Sequence, residues 1–210
     1  MELNTYTYKH LQGADPIEAN VYFKHGDSSS TKPIAIYYHG GNFVVGDKGM
    51  ISPQYIKVLL DLGFGAVVSP NYRLSPTISA YDGAIADSKD AFSWVQNDLP
   101  VKLANDAGIM LDGERVVAWG HSAGGTLALL MPAGSFSPSF PPTFFGHGGA
   151  DSAVDVKLAK RAHNALKADG VDTQLVVIEG ADYGFDIGKM PGDPVYEAVI
   201  NGLKFLRAYV

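Results

Sequence analysis

The chain contains no cysteine, which excludes disulfides, thiolate nucleophiles and cysteine-bound metals. Charge is also sparse: only 18% of the 210 residues are charged, and 22 acidic against 16 basic residues leave a formal charge of -6. Such a surface does not attract nucleic acid or anionic lipid, and no Lys/Arg cluster reverses the balance. No apolar run reaches the length of a membrane span, and no charged segment followed by an apolar one opens the chain as a secretory signal would. A soluble cytoplasmic protein with no nucleic-acid or membrane partner is therefore the expectation. The six histidines show no metal-site spacing, so no metal is expected.

What the chain does have is a 46% hydrophobic composition, which predicts a single domain over residues 1–210 with one sizeable core. Strand-like runs alternate with helical periods. Asn4 to His10 and Ile17 to Lys24 read as an antiparallel hairpin at a sheet edge, followed by a polar stretch from Gly26 to Lys32. The nearly all-apolar Pro33 to Tyr38 suits a parallel strand covered on both faces. Helix Pro53 to Leu62, strand Gly65 to Ser69, helix Tyr81 to Asn97 with Asp82 at its first turn, and strand Arg115 to Trp119 follow. After a short helix and an aperiodic Pro132 to Pro142 segment come strand Thr143 to Gly146, helix Asp155 to Asp169, strand Thr173 to Ile178 and helix Val195 to Tyr209. This alternation predicts an α/β sandwich with a mostly parallel sheet of about seven strands and no internal repeat. Thr143 to Gly146 is expected to pair parallel to Arg115 to Trp119 through a single crossover.

The chemistry-bearing pattern is Gly120-His121-Ser122-Ala123-Gly124, set between the Val116-Val117-Ala118 strand and the helix former Thr126 to Leu130. A serine on a sharp strand-to-helix turn is exposed as a nucleophile for acyl transfer, and a side chain at Gly120 or Gly124 would crowd neighbouring backbone. Its oxyanion needs hydrogen-bond donors; the Ala123 N–H and the Gly40-Gly41 loop after an earlier strand are the candidates. The alternative for Gly40-Gly41 is a plain tight turn, and for Ser122 an ordinary turn serine.

On these residues the chain resembles the α/β-hydrolase superfamily, and within it the hormone-sensitive-lipase-like carboxylesterases. The resemblance is carried by His39-Gly40-Gly41-Asn42-Phe43, Asn71-Tyr72-Arg73-Leu74-Ser75-Pro76, Asp87 in the following helix, and Gly120-His121-Ser122-Ala123-Gly124-Gly125. Near the C-terminus, His147-Gly148-Gly149-Ala150-Asp151 is similar to the family's acid loop, and Glu179 to Phe185 to its base loop. The resemblance runs over nearly the whole chain and implies a three-layer α/β-hydrolase-like sandwich that hydrolyses small carboxylic esters without a cofactor. It implies a catalytic set of Ser122, Asp151 and the residue at 183.

Three features depart from that pattern. Tyr183 stands where the family has histidine, and tyrosine titrates near 10 against about 6.5 for histidine, so it is no general base at neutral pH. His121 replaces the usual aspartate of the elbow. Ser122 and Asp151 are only 29 positions apart, which implies that one core strand and the cap segment are deleted. Substitute bases are His147, four residues before Asp151, and His121 and His39 beside the serine and oxyanion loops; each also has a structural reading. Asp151 reads equally as an orienting acid and as a helix cap. Arg73 is expected to tie the oxyanion loop to its neighbours. Phe43, Phe136, Phe140, Phe144 and Phe185 supply apolar surface for a pocket or a core.

The functional expectations are an esterase-like serine hydrolase weakened by Tyr183, a non-hydrolytic ligand-binding, lyase or cyclase-type protein using the oxyanion pocket, and a catalytically silent partner-binding protein. The partner in the first two is a small apolar or ester-containing molecule. A homodimer through exposed sheet or helix surface is the protein partner considered.

Overall fold

The computed structural model describes residues 1–25, 30–131 and 140–210. Most of the polar stretch before the third strand and residues 132–139, with Phe136, lie outside the described residues. The chain divides into two units, Met1–Met131 with Val210, and Pro132–Tyr209.

The first unit is built on a five-stranded sheet of β1 (Glu2–Lys9), β2 (Ile17–Phe23), β3 (Lys32–Tyr38), β4 (Ala66–Pro70) and β5 (Leu111–Gly120), in the order β1-β2-β4-β3-β5. The first two ladders are antiparallel, as the edge hairpin requires, and β3 pairs parallel with both β4 and β5. Because side chains alternate along a strand, Ile34, Ile36, Tyr38, Ala66 and Val68 join Trp94, Val95, Leu99, Leu103 and Leu127 in one core. The opposite parity, Tyr37 and Trp119, meets Tyr55 of helix α1 (Pro53–Asp61), whose ring stands edge-on to Trp119 at 5.5 Å. Both faces of the sheet are thus covered, which is why the paired stretches Ile34–Tyr38 of β3 and Ala66–Val68 of β4 are apolar at every position.

Helix α2 (Ala86–Asn97) is entered through a π-helical turn at Tyr81–Ile85. Asp82 lies in the first turn as expected and is held there by Ser79, whose Oγ accepts from the Asp82 N–H at 3.0 Å and donates to the Asp82 carboxylate at 2.7 Å. Helix α3 (Leu99–Ala107) is an addition to the sequence expectations. Its signals were local: Pro100 in the first turn, Leu99 and Leu103 one turn apart and buried, and Gly108 closing it at φ 69°. Helix α4 (Ala123–Leu129) leaves β5 at the serine turn.

The second unit contains β6 (Thr143–Gly148), α5 (Val156–Ala168), β7 (Thr173–Ile178) and α6 (Pro194–Arg207). Strands β6 and β7 pair in parallel from Thr143↔Thr173 to Gly148↔Ile178. Asp155 caps α5 by accepting from the Lys157 N–H. Gly202 lets α6 lie on the Phe144 ring, because a Cβ there would stand 2.6 Å from the Phe144 Cζ. Phe144 is therefore a packing residue of this unit.

The α/β class, the parallel pairing and the seven strands found among the described residues match expectation, but these strands form two sheets. The expected β5 to β6 ladder is corrected: among the described residues β6 pairs with β7, the strand to which α5 connects it. Hydrophobic period marks where strands are, and does not specify which neighbour each one takes. No helix among the described residues is long and apolar enough to cross a membrane.

Candidate active site

The register that sets Tyr38 opposite Gly120 brings the next residues of both strands, His39-Gly40 and His121-Ser122, side by side. Ser122 sits on the turn into α4 with φ 54° and ψ -123°, a conformation rare for a residue with a side chain. The turn is tight because glycines flank it. A Cβ on Gly120 would lie 2.5 Å from the Tyr38 carbonyl oxygen, and one on Gly124 would lie 2.6 Å from that of His39. Gly40 approaches so closely that a Cβ on it would stand 3.4 Å from the Ser122 Cβ. Gly41 adopts φ 109°, and the Val44 and Val45 N–H groups close the loop onto its carbonyl. The N–H groups of Gly40, Gly41 and Ala123 have no hydrogen-bond partner among the described residues. Three unengaged donors therefore lie on the two segments that meet at Ser122.

His39 is fully buried and holds its own loop: Nδ1 lies 2.7 Å from the Gly40 carbonyl oxygen, while Tyr72 stacks on the ring at 4.1 Å. Burial lowers the His39 imidazole below its ordinary value and raises the Tyr72 phenol. His121 turns to the other aromatic group, with Nδ1 3.2 Å from the Tyr37 hydroxyl and its ring 5.5 Å from Trp119. The role of Tyr72 and the Tyr37, Tyr55 and Trp119 group behind His121 were not foreseen. The Asn71-Tyr72-Arg73 motif was visible, but a stacking partner is fixed by tertiary approach.

Arg73 corrects its expectation. Its guanidinium grips the buried Asp87 through Nε and Nη2, both at 2.8 Å, and donates to the Asp82 carbonyl. The oxyanion loop is tied instead by the Ser75 N–H donating to the Phe43 carbonyl and by the Lys48 N–H donating to the Asn71 side chain.

In the second unit, Asp151 Oδ1 accepts from the Ala153 and Val154 N–H groups at 2.9 and 2.8 Å, and Oδ2 lies 3.3 Å from His147 Nε2. His147 Nε2 also lies 2.9 Å from the Val154 carbonyl oxygen. A carbonyl only accepts, so this nitrogen carries the hydrogen. Asp151 thus organises the turn before α5, while Asp155 is the cap itself. The loop of Tyr183 is zipped to this turn: the Ala150 N–H donates to the Ala181 carbonyl, and the Ser152 N–H to the Asp182 carboxylate at 2.7 Å. Tyr183 is half exposed. Among the described residues no group of three or more metal-ligating side chains converges.

Residues 20–137 match the BD-FAE family. The chain belongs to that α/β-hydrolase-like family. Solved structures of an esterase from Thermogutta terrifontis share its fold: the propionate-bound form superposes with a TM-score of 0.81 at 19% identity, over 99% of this chain and 94% of that one. Among curated relatives, the non-reducing polyketide synthase Preu6 of Preussia isomera is 36% identical over 95% of this chain, and the corresponding synthase ausA of Aspergillus calidoustus is 35% identical over 68%. The chain spans only 10% and 7% of those two relatives.

Proposed function

We propose that the chain is an esterase-like serine hydrolase that acts on small, activated carboxylic esters. The observation that carries this is Ser122 at φ 54° on the strand-to-helix turn, with the unpaired N–H groups of Ala123, Gly40 and Gly41 on the two segments that meet there. In this reading the Ser122 Oγ attacks the acyl carbon, its proton passes to solvent or a substitute base, and the N–H groups stabilise the oxyanion. Such donors are worth roughly 10²–10³ in rate each. Turnover is slow, because position 183 carries a tyrosine in place of the histidine that the resemblance implies. Asp151 keeps its assignment as the acid only by the resemblance.

The first test is covalent labelling with a fluorophosphonate together with hydrolysis of p-nitrophenyl acetate. Both are expected in the natural protein, and both are lost in Ser122→Ala. Turnover unchanged in that variant rejects the reading, and an unlabelled protein that still binds apolar ligands supports the non-hydrolytic alternative.

A second reading is favoured by the polyketide synthases, whose identity to this chain is well above that of the esterase structures. Here the substrate is a polyketide acyl thioester. A thiol leaving group, with a pKa near 8.5, departs as the anion at far lower cost than an alcohol, so it tolerates the missing proton donor at 183. Acetyl-N-acetylcysteamine cleaved faster than ethyl acetate by a wide margin, relative to their rates in buffer, separates this reading from the first.

A further inference from the structure

We propose that Asn42 is a specificity-determining residue of the Ser122 site: its side-chain amide reads a neutral ketone or amide group that flanks the reacting carbonyl of the substrate. The proposal rests on the serine-hydrolase reading and names the substrate class within it.

The turn after Gly40 runs through three successive residues with positive φ: Gly41 at 109°, Asn42 at 53° and Phe43 at 63°. A residue with a Cβ is strained there. For Phe43 the strain is offset, because its side chain is partly buried against the core and its carbonyl accepts from the Ser75 N–H at 2.8 Å. Asn42 has no such return. It is exposed, and neither its side-chain amide nor its backbone N–H has a hydrogen-bond partner among the described residues. Asparagine tolerates this conformation better than most residues because its side chain can bond nearby backbone, and Asn42 makes no bond of that kind. Glycine would hold the turn without strain, as it does at Gly41. The side chain at 42 is thus kept at a cost that no contact among the described residues offsets.

Its place in the loop supplies the ligand. A Cβ on Gly40 would stand 3.4 Å from the Ser122 Cβ, and two trans peptide steps keep the Asn42 Cα within about 7.6 Å of the Gly40 Cα. The Val44 and Val45 N–H groups bond the Gly41 carbonyl at 2.9 and 3.1 Å, which closes the turn and fixes residue 42 on its exposed side. A substrate carbonyl seated on the Gly40 and Gly41 N–H groups therefore has the Asn42 amide next along the loop, in reach of groups a few bonds from the reacting carbon. An uncharged amide offers one accepting oxygen and one donating nitrogen, so it pairs with a neutral ketone or a secondary amide. Such a group has two sources in an acyl thioester: a β-ketone in the acyl chain, and the amide of a cysteamine-type thiol.

The test compares the natural protein with Asn42→Gly, which keeps the turn and removes the amide. The substrates are the butyryl and acetoacetyl thioesters of N-acetylcysteamine and of ethanethiol, and the ratios of kcat/KM between them are read. Asn42→Gly should lower kcat/KM for the thioesters that carry the recognised group by about five- to ten-fold relative to those that lack it. A fall confined to the N-acetylcysteamine thioesters assigns the leaving side, and one confined to the acetoacetyl thioesters assigns the acyl side. A loosened loop would slow every substrate alike, so a uniform fall, or unchanged ratios, overturns the proposal. Protection of Ser122 from fluorophosphonate by the matching ketones, with CH₂ in place of sulfur, gives the same ratios if the variant turns over too slowly to rank. Ser122→Ala with undiminished turnover would instead reject the hydrolase reading, while the ratios in Asn42→Gly still decide whether residue 42 selects among substrates.

Discussion

Ser122 holds a backbone conformation that costs about 1–3 kcal/mol for a residue with a side chain, and it is kept there by glycine contacts on either side. Gly124 is the most sensitive of these, since a Cβ would meet the Tyr38 and His39 carbonyls, which are backbone and cannot swing away. Gly124→Ala should therefore lower stability by about 1–3 kcal/mol in urea unfolding. It should also remove fluorophosphonate labelling, because relief requires β3 and α4 to separate at the point where His39-Gly40 meets Ser122. Retained labelling at full stability would mean that the turn is looser than its contacts indicate.

Among the elements, α2 is fastened to the segment after β4 by the Asp87 carboxylate, and to Lys9 of β1 by Asp87 together with Asp90. Asp87 is fully buried and accepts from Lys9 Nζ, from the Arg73 N–H and from both arms of its guanidinium. Burial alone would raise its pKa, but the bonds from Arg73 and Lys9 outweigh that and hold it below the usual carboxylate range. A depressed acid stabilises the fold at pH values above its unfolded pKa of about 3.9, and that contribution is lost as pH falls through the folded value. Asp87→Asn should thus cost about 1.5–3 kcal/mol at pH 7, and the gap between the two proteins in urea unfolding should narrow below pH 4. A gap independent of pH would place the effect in packing. The elements themselves were largely legible in the sequence, since a continuous apolar run marks β3 and the second half of β5, and helical period marks α5 and α6. What escaped was α3, whose signals are local but short, and the partner of β6. Pairing depends on which edges meet in space, and no residue of Thr143 to Gly146 encodes that. In the same way Ser122, Gly40 and Gly41 were readable as a motif, whereas the stacking of Tyr72 on His39 and the grip of Arg73 on Asp87 arise from tertiary approach.

For the molecule as a whole, the open question is whether the position of Tyr183 still belongs to a hydrolytic apparatus. Within the second unit, the turn of Asp151 and the loop of residue 183 are joined by the Ala150 and Ser152 N–H groups. A histidine at 183 would therefore stand next to the turn of Asp151. Against this, one oxygen of Asp151 is committed to the Ala153 and Val154 N–H groups, and the other already faces His147. The new ring must compete for that second oxygen. Tyr183→His should consequently gain modestly alone and more when combined with His147→Gln, which takes away the competing imidazole. If Asp151 pairs with the ring at 183, the new imidazole pKa rises above about 6.5, because an adjacent carboxylate favours the cation. Histidine NMR titration reads this without reference to activity. Hydrolysis of p-nitrophenyl acetate should rise about ten-fold or more at pH 8 relative to pH 5, where the new base is protonated. A raised pKa without a rate gain would mean that acid and base can be rebuilt in the second unit without serving Ser122, and the thioester reading, which needs the base least, would then be the better account of the chain.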